Sequence, residues 1–169
     1  MYNNTTAMAW NPVDLIEKNE EKNSQLFLGN IGSVNKIFIM ENKVTAIASI
    51  MQEPVVEYPD LIKDHIKIPI MDSEKEDILV SLDKVSEFID KNMELGNTVL
   101  VHCMAGSSRS ASFVIAYLMK KHSWCFEKAY VYTKSKRAQV FPNSGFMRQL
   151  RIYEKLLFGK NEEKKKEEK

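Results

Sequence analysis

The chain has 169 residues, 44% of them hydrophobic and 28% charged, which are the length and balance of one soluble domain with a buried core. Two cysteines are too few for a disulfide-stapled secreted domain, no apolar run approaches the roughly 18 residues of a membrane span, and the N-terminus lacks the layout of a signal peptide. We therefore expect an intracellular protein, cytoplasmic or nuclear, of undetermined oligomeric state.

The net charge of +1 conceals an uneven distribution along the chain. Residues 1–98 contain 9 basic and 17 acidic side chains, whereas residues 99–159 contain 10 basic and 2 acidic ones. A neutral total argues against a general nucleic-acid binder, and a basic C-terminal half is typical of a protein that binds a local anionic ligand. A solvated basic helix face would produce the same count.

The first half of the chain alternates between helix and strand patterns. Asn11 and Pro12 are typical of a helix start, and the spacing of the apolar residues after them predicts a short helix over residues 12–22. The patterns that follow predict a strand over residues 25–28, a helix capped by Ser33 that runs to about Met40, and a strand over residues 44–50.

The second half continues this alternation around a loop of small residues. We expect a strand over residues 65–70 and then a helix over residues 74–95 that stops at Gly96. A short apolar strand over residues 98–101 precedes a run rich in Gly and Ser at residues 103–110, which leads into a helix. Two further helices are predicted over residues 123–137 and 144–158, separated by Pro142 and Asn143.

Strands that alternate with helices predict an α/β fold. We expect a single domain with a central, mostly parallel sheet flanked by helices and a phosphate-binding loop between a strand and a helix. The predicted organisation is an N-terminal helical extension (1–24), a globular domain (25–158) and a charged C-terminal tail (159–169). The low-complexity tail is typical of a frayed helix end or a disordered segment.

The loop after the strand over residues 98–101 carries the residues that indicate a chemistry. Its sequence, HCMAGSSRS, runs from His102 to Ser110. Small residues between a buried strand and a helix allow successive backbone N–H groups to point inward at the positive end of the helix dipole, and Gly106 permits the tight turn. This arrangement predicts a loop that binds phosphate.

Two side chains at the ends of this loop would supply the reactivity. Cys103 lies at its base, where the N–H groups and the helix end would stabilise a thiolate that can attack phosphorus. Arg109, six residues later, would lie in the first helical turn, where its planar guanidinium can hold two phosphate oxygens. A chance Cys-x5-Arg pair is common, but one placed between an apolar strand and a helix is specific.

The same segment resembles the signature of the cysteine-dependent dual-specificity protein phosphatases. QLFLGN, IPIMDSEKEDI, TVLVHC and PNSGFMRQL come in the family's order, so the resemblance covers about residues 25–158. It implies a small, atypical member whose partner is a phosphorylated protein substrate, with no metal, cofactor, nucleic acid or membrane involved. A compact domain of this family has a shallow pocket, which implies activity on phosphoserine and phosphothreonine as well as phosphotyrosine.

The resemblance also implies roles for individual residues. Cys103 would be the nucleophile that forms a phosphocysteine intermediate, Arg109 would bind the phosphoryl group, and Ser110 would donate a hydrogen bond to the departing thiolate. His102 would orient and tune the cysteine rather than act as a base. The phosphate would be bound by the loop residues Met104, Ala105, Gly106, Ser107 and Ser108 together with Arg109.

Asp72 matches the family's general acid. It lies 31 residues before Cys103 and directly follows the apolar run IPIM. This residue would protonate the leaving oxygen and then activate water. Glu74, Glu76 and Asp77 are nearby alternatives, but a residue at the end of a strand is better placed than one on the next helix. A solvated turn residue or a helix N-cap is the alternative interpretation of Asp72.

The other singled-out residues have ordinary structural interpretations. Cys125 is interpreted as a small buried hydrophobic residue, and a disulfide between it and Cys103 is left open. We expect His65 and His122 at the surface or in packing. The nine methionines are interpreted as core filler rather than as a binding surface.

Other functions use loops of the same kind. A non-catalytic phosphoprotein-binding module is one, although inactive relatives generally lose the nucleophile or the arginine. Phosphatases that act on RNA 5′-phosphates typically have His and Asn where Ala105 and Ser108 stand, and lipid phosphatases have lysines inside the loop. A third possibility is that the predicted helix over residues 12–22 adds partner or substrate binding to catalysis.

Overall fold

The computed structural model describes residues 11–53 and 58–167, with side chains through residue 159. The strands in these ranges are β1 (Val13–Asn19), β2 (Ser24–Gly29), β3 (Val44–Ile50), β4 (Asp64–Ile68) and β5 (Thr98–His102). The helices are α1 (Lys36–Glu41), α2 (Leu79–Glu94), α3 (Arg109–His122), α4 (Phe126–Lys136) and α5 (Ser144–Glu167). No helix in these ranges has the length and apolar character needed to cross a lipid bilayer.

The strands form one sheet in the order β1-β2-β5-β3-β4. β1 is antiparallel to β2, and the other three pairings are parallel. Helix α1 covers one face over a small hydrophobic cluster, whereas α2 to α5 cover the other face over the main core. All five residues of the central strand β5 are buried. The predicted α/β fold with a mostly parallel sheet is therefore confirmed.

The predicted helix over residues 12–22 is wrong, because this segment forms β1 and a turn. β1 pairs antiparallel with β2, and the polar run between the two strands is a hairpin turn in which Asn23 has a φ of 52°. A few apolar residues in a short segment fit both the helical and the strand periodicity. The segment forms a strand because it can pair with the open edge of β2. The rest of the predicted extension, residues 1–10, lies outside the described residues.

The first helix begins at Lys36, and its cap is not the predicted Ser33. Ser33 is buried in a 3₁₀ turn, where its Oγ donates to the carbonyl of Asn30 at 2.6 Å. The cap is Asn35, whose Oδ1 accepts a hydrogen bond from the N–H of Phe38 at 2.9 Å. Both residue types cap helices well, so the sequence indicated a cap in this region but not which residue provides it.

The later helices differ from their predicted bounds mainly at their ends. Helix α2 begins five residues and α4 three residues after the predicted positions. Helix α2 stops before Gly96 as predicted, and the φ of 78° there is one that glycine adopts without strain. Helix α5 starts after Asn143, whose Oδ1 accepts from the N–H of Phe146 at 2.9 Å, and it continues to Glu167. The described part of the predicted tail thus extends this helix.

The segment that was expected to begin α2 is a separate loop, residues 71–78, which we call the acidic loop. Helix α5 holds it in place through Gln149, whose Oε1 accepts from the N–H of Ile78 at 2.8 Å and whose Nε2 donates to the carbonyl of Glu76 at 2.7 Å. Gly145 packs so closely that a Cβ there would lie 2.6 Å from the Cα of Glu74. The acidic loop is thus fixed against the start of α5.

Opposite charges on α2 and α3 pair along one surface, which we call the ion-pair face. Lys120 Nζ lies 2.7 Å from Asp83 Oδ1, and Lys121 Nζ lies 2.7 Å from Asp90 Oδ1. Each lysine also contacts a second acid of α2, Glu87 or Glu94. Part of the basic C-terminal half therefore pairs with the acidic N-terminal half. These two lysines are accordingly neither an anion site nor a bare basic surface.

Candidate active site

Strand β5 ends at the carboxyl edge of the sheet, and Cys103 follows it there. The side chain is buried, with only 2% of the residue exposed. Two donors point at the sulfur: the N–H of Gly106 lies 3.2 Å from Sγ, and Ser110 Oγ lies 3.1 Å from it. Both hydrogen bonds would stabilise negative charge on the sulfur, as a nucleophilic thiolate requires.

Residues 103–108, which we call the phosphate loop, curl tightly against the end of β2. Gly106 has a φ of 68°, and a Cβ there would lie 2.6 Å from the carbonyl oxygen of Gly29 and 2.8 Å from Nη2 of Arg137. Only glycine fits both this backbone conformation and this space. The loop predicted from its small residues is therefore formed by close packing against β2 and Arg137.

The start of α3 leaves its first backbone N–H groups available to an anion. Ser108 occupies the N-cap position but makes no capping hydrogen bond with its side chain. Its Oγ instead donates to Asp72 Oδ1 at 2.6 Å. Uncapped N–H groups at the positive end of a helix dipole bind anions, so this helix start fits a phosphate group.

Arg109 is the first residue of α3, and its guanidinium borders an open cleft beside the phosphate loop. Nη1 donates to the carbonyl of Ile70 at 3.3 Å, whereas the buried Nε has no hydrogen-bond partner among the described residues. A planar guanidinium beside an open cleft can bind a phosphate oxygen there. The cleft is lined by Met51, Gln52, Glu53, Met71, Asp72, Met104 and Arg109.

Asp72 reaches this cleft from the acidic loop. In addition to the bond from Ser108, its Oδ1 accepts a hydrogen bond from Asn143 Nδ2 at 2.8 Å. The backbone N–H of Asn143 also donates to Ser108 Oγ at 3.0 Å. The carboxylate is thus fixed between the phosphate loop and the start of α5, on the same cleft as Arg109.

The three acidic alternatives to Asp72 are engaged elsewhere. Glu74 lies 3.8 Å from Arg148, which is an exposed ion pair. The carboxylate of Glu76 accepts from the N–H of Met71, and that of Asp77 accepts from the N–H of Leu79 at the start of α2. None of the three alternatives lines the cleft. Of these four acidic residues, Asp72 is the one that lines the cleft.

The side chain of His102 points away from the side chain of Cys103, to the opposite face of β5, because successive strand residues alternate sides. Its Nε2 lies 2.7 Å from Ser49 Oγ. Burial lowers the pKa of His102 to about 4, so the ring is neutral at physiological pH. A buried neutral histidine directly before the cysteine fits the expected orienting role and not that of a base facing the substrate.

Arg137 supports the phosphate loop, and the sequence did not indicate this contact. It is buried beneath the phosphate loop, where Nε donates to the carbonyl of Gly106 at 2.9 Å. Nη1 pairs with Asp14 of β1 at 2.6 Å. Gln139 adds a bond from its Nε2 to the carbonyl of Ala105 at 3.2 Å. These donors satisfy the carbonyls of Ala105 and Gly106, while the N–H of Gly106 points to Cys103 Sγ.

The interpretations of Cys125 and of some methionines need correction. Cys125 is exposed rather than buried. It follows the far end of α3, a helix of 14 residues and therefore about 21 Å long, so a disulfide with Cys103 is ruled out in this fold. Met71 and Met104 are about half exposed and line the cleft, so these two are not core filler.

The structure brings most of the predicted site residues to one place. Cys103 lies buried at the base of the phosphate loop, and the next residue, Met104, lines a cleft with Arg109 and Asp72. A cysteine, an arginine and a carboxylate are the groups that cysteine-dependent phosphatases bring together. The model of the family "Dual specificity phosphatase, catalytic domain" matches residues 26–156. The chain belongs to this family, and it is a phosphatase of the dual specificity type.

Individual relatives agree with this assignment. Dual specificity protein phosphatase 1B of Arabidopsis thaliana is 38% identical over 135 residues, which cover 79% of this chain and 80% of the relative. Human dual specificity protein phosphatase 21 is 40% identical over 138 residues, which cover 80% of this chain and 72% of the relative.

Solved structures share the fold. Human DUSP28 matches with a TM-score of 0.75 at 28% identity, covering 85% of this chain and 95% of that one. The human tyrosine phosphatase-like serine/threonine/tyrosine-interacting protein matches with a TM-score of 0.72 at 34% identity, covering 78% of this chain and 91% of that one.

Proposed function

We propose that the chain hydrolyses phosphotyrosine and phosphoserine or phosphothreonine in proteins through a phosphocysteine intermediate. The observation that carries this proposal is the sulfur of Cys103, which receives two hydrogen bonds at the base of the phosphate loop, directly before Met104, which lines a cleft together with Arg109 and Asp72. A nucleophile, an anion-binding helix end and a candidate proton donor are the three parts that phosphate-ester cleavage requires.

In the first step, the thiolate of Cys103 attacks phosphorus, and an S–P bond forms as the P–O bond to the substrate breaks. The N–H groups of the phosphate loop and the guanidinium of Arg109 bind the non-bridging oxygens and follow them into the transition state. Asp72 donates its proton to the leaving oxygen, so that an alcohol or a phenol departs rather than its anion.

In the second step, water attacks the phosphocysteine and the S–P bond breaks. Asp72, now a carboxylate, takes a proton from this water. Ser110 is placed for this step, because its hydroxyl already donates to Sγ and would stabilise the thiolate as it leaves. Inorganic phosphate is then released, and the thiolate of Cys103 is restored.

The lining of the cleft supports a phosphorylated protein as the substrate. Among the described residues, Arg109 is the one basic side chain of the lining, which also includes the acid Glu53 and the exposed methionines Met71 and Met104. A single cation matches one phosphate monoester, whereas a polyphosphorylated headgroup or a 5′-triphosphate would call for more positive charge. Methionine side chains are adaptable and contact aromatic rings as well as aliphatic chains, which suits both classes of phosphoresidue.

A reducing compartment, the cytoplasm or the nucleus, is the setting we propose for this chemistry. The nucleophile works only as a free thiolate, and thiols remain reduced in those compartments. Cys103 and Cys125 are both free in this structure.

The test is the initial rate of p-nitrophenyl phosphate hydrolysis, with reductant and a metal chelator present, by the native chain and by Cys103→Ser. We expect turnover by the native chain only, followed by release of phosphate from phosphotyrosine and phosphothreonine peptides. The folded variant should still bind phosphate, because the site is made largely of backbone N–H groups. A folded, reduced native chain without hydrolysis would instead indicate a phosphoprotein-binding module.

A further inference from the structure

Three polar residues on neighbouring strands form a chain of hydrogen bonds behind the nucleophile. Ser49 Oγ on β3 lies 2.8 Å from Nε2 of His65 on β4 and 2.7 Å from Nε2 of His102 on β5. Ser49 and His102 are completely buried, and His65 is partly buried. The reaction described above uses neither Ser49 nor His65.

The single hydroxyl proton of Ser49 restricts where the histidine protons can be. Ser49 can donate to only one of the two Nε2 atoms, so the other Nε2 must carry a proton and donate to Oγ. Burial lowers the pKa of both rings, and each neutral ring carries one proton. Two arrangements remain, with His102 protonated either on Nδ1 or on Nε2.

The surroundings of His102 favour the proton on Nδ1. This atom is buried and makes no hydrogen bond of ordinary geometry within the described residues. The backbone of Cys103 is the nearby group that acts to raise the pKa of the ring, against the larger opposite effect of burial. A backbone group raises the pKa of a histidine by accepting a hydrogen bond from the protonated ring. The group of the Cys103 backbone that can accept is its carbonyl oxygen.

We propose that Ser49 and His65 are positioning residues, which hold His102 in the tautomer with its proton on Nδ1, directed at the backbone of Cys103. The hydrogen bonds run in one direction: His65 Nε2–H donates to Ser49 Oγ, and the Ser49 hydroxyl donates to His102 Nε2. The proton on Nδ1 then faces the Cys103 carbonyl, at the point where β5 passes into the phosphate loop. The consequence for turnover rests on Cys103 being the nucleophile.

The direct test is NMR of the full chain labelled with ¹⁵N-histidine, because imidazole nitrogen shifts report which nitrogen carries the proton. The chain has three histidines, so a variant of each assigns the signals. We expect His102 to be protonated on Nδ1 and His65 on Nε2. His65→Leu and Ser49→Ala should shift His102 toward a mixture of tautomers. A native His102 protonated on Nε2 would overturn the proposal.

A matched variant separates the hydrogen bond from simple packing. His65→Gln retains an N–H donor at about the same distance from the backbone as Nε2 of histidine, whereas His65→Leu fills the space without a donor. We expect His65→Leu and Ser49→Ala to lower kcat roughly 3- to 10-fold, as for the loss of one hydrogen bond, with KM little changed. His65→Gln should stay within about twofold of the native chain. An equal loss in the Gln and Leu variants would also overturn the proposal.

A remote histidine provides the control. His122 pairs with Glu17 at 2.6 Å on the far side of α3, so His122→Gln should leave both kcat and the His102 signals unchanged. The two proposals fail separately. A native chain without hydrolysis would overturn the proposed function while the His102 tautomer stays readable, whereas His65→Leu with native kcat and native His102 signals would overturn this inference alone.

Discussion

One arginine and two lysines from the same half of the chain differ in how far they are buried. The side chain of Arg137 is fully buried beneath the phosphate loop and pairs with Asp14 of β1. Lys120 and Lys121 lie on the ion-pair face, where 36% and 33% of their side-chain surfaces remain exposed. In the sequence, all three residues contribute in the same way to the positive charge of the C-terminal half. The structure shows that one supports the active site and two join a pair of helices.

Burial determines what each of these charges contributes. An exposed ion pair adds about 0.2–1 kcal/mol to the free energy of unfolding, because water and salt screen it. Removal of one partner from a buried pair costs about 3–5 kcal/mol, because the other charge is left without compensation. We therefore expect the end of the molecule with the phosphate loop to be sensitive to substitution and the ion-pair face to be tolerant.

The largest effect should come from Asp72→Asn at the sensitive end. Asparagine keeps the size of the side chain but cannot give a proton to the leaving oxygen. We expect kcat on phenyl phosphate to fall about 10²- to 10⁴-fold, with a smaller loss on p-nitrophenyl phosphate, whose leaving group needs little protonation. Asp77→Asn, at the start of α2, is the matched control and should stay near native. Equal losses on both substrates would contradict the assignment of the acid.

A double-mutant cycle on Asp14 and Arg137 tests the buried pair. Arg137→Met removes the donors to the carbonyls of Ala105 and Gly106 and leaves Asp14 unpaired, so we expect a loss of about 3–5 kcal/mol in urea unfolding together with reduced turnover. Adding Asp14→Asn should recover part of the stability but not the turnover, because the Gly106 carbonyl stays without its donor and the Ala105 carbonyl keeps only the one from Gln139. Full recovery of both would mean that Arg137 acts only through its charge pair.

The smallest effect should come from Lys121→Met on the ion-pair face. The loss of its bonds to Asp90 and Glu94 should cost at most about 1 kcal/mol, and kcat should stay unchanged. Repeating the urea unfolding in about 1 M NaCl should shrink this difference, because salt screens exposed charges at that concentration. A loss that persists in high salt would show that packing of the lysine stem, rather than its charge, joins the helices.

The sequence was most informative where the site is local. The phosphate loop, the strand before it and the helix after it lie in one continuous stretch, so residue type and spacing were enough to predict them. Asp72 was predicted as the acid from its position after an apolar strand and from the family's pattern, and the structure places it on the cleft with Arg109. The buried β-branched run of β3 was also clear from sequence, because its pattern does not depend on a distant partner.

The features that were missed depend on contacts far apart in the chain. Arg137 bonds to Gly106 31 residues before it and to Asp14 123 residues before it, and neither contact leaves a local pattern. β1 became a strand because β2 offers an edge to pair with, which overrode a weak helical spacing. Ser49 and His65 are 16 residues apart and meet only because β3 and β4 are neighbours in the sheet.

The attachment of the acidic loop to α5 has a kinetic consequence. Since Gln149 and the close packing of Gly145 hold this loop, and Asn143 already bonds to Asp72, the carboxylate that we propose as the acid lies on the cleft without any hinge motion. Enzymes that must close a lid over the substrate often turn over at the rate of that motion. Here no closing motion of the acidic loop is needed, so an anion should associate in a single phase and turnover should be limited by bond making and breaking or by phosphate release.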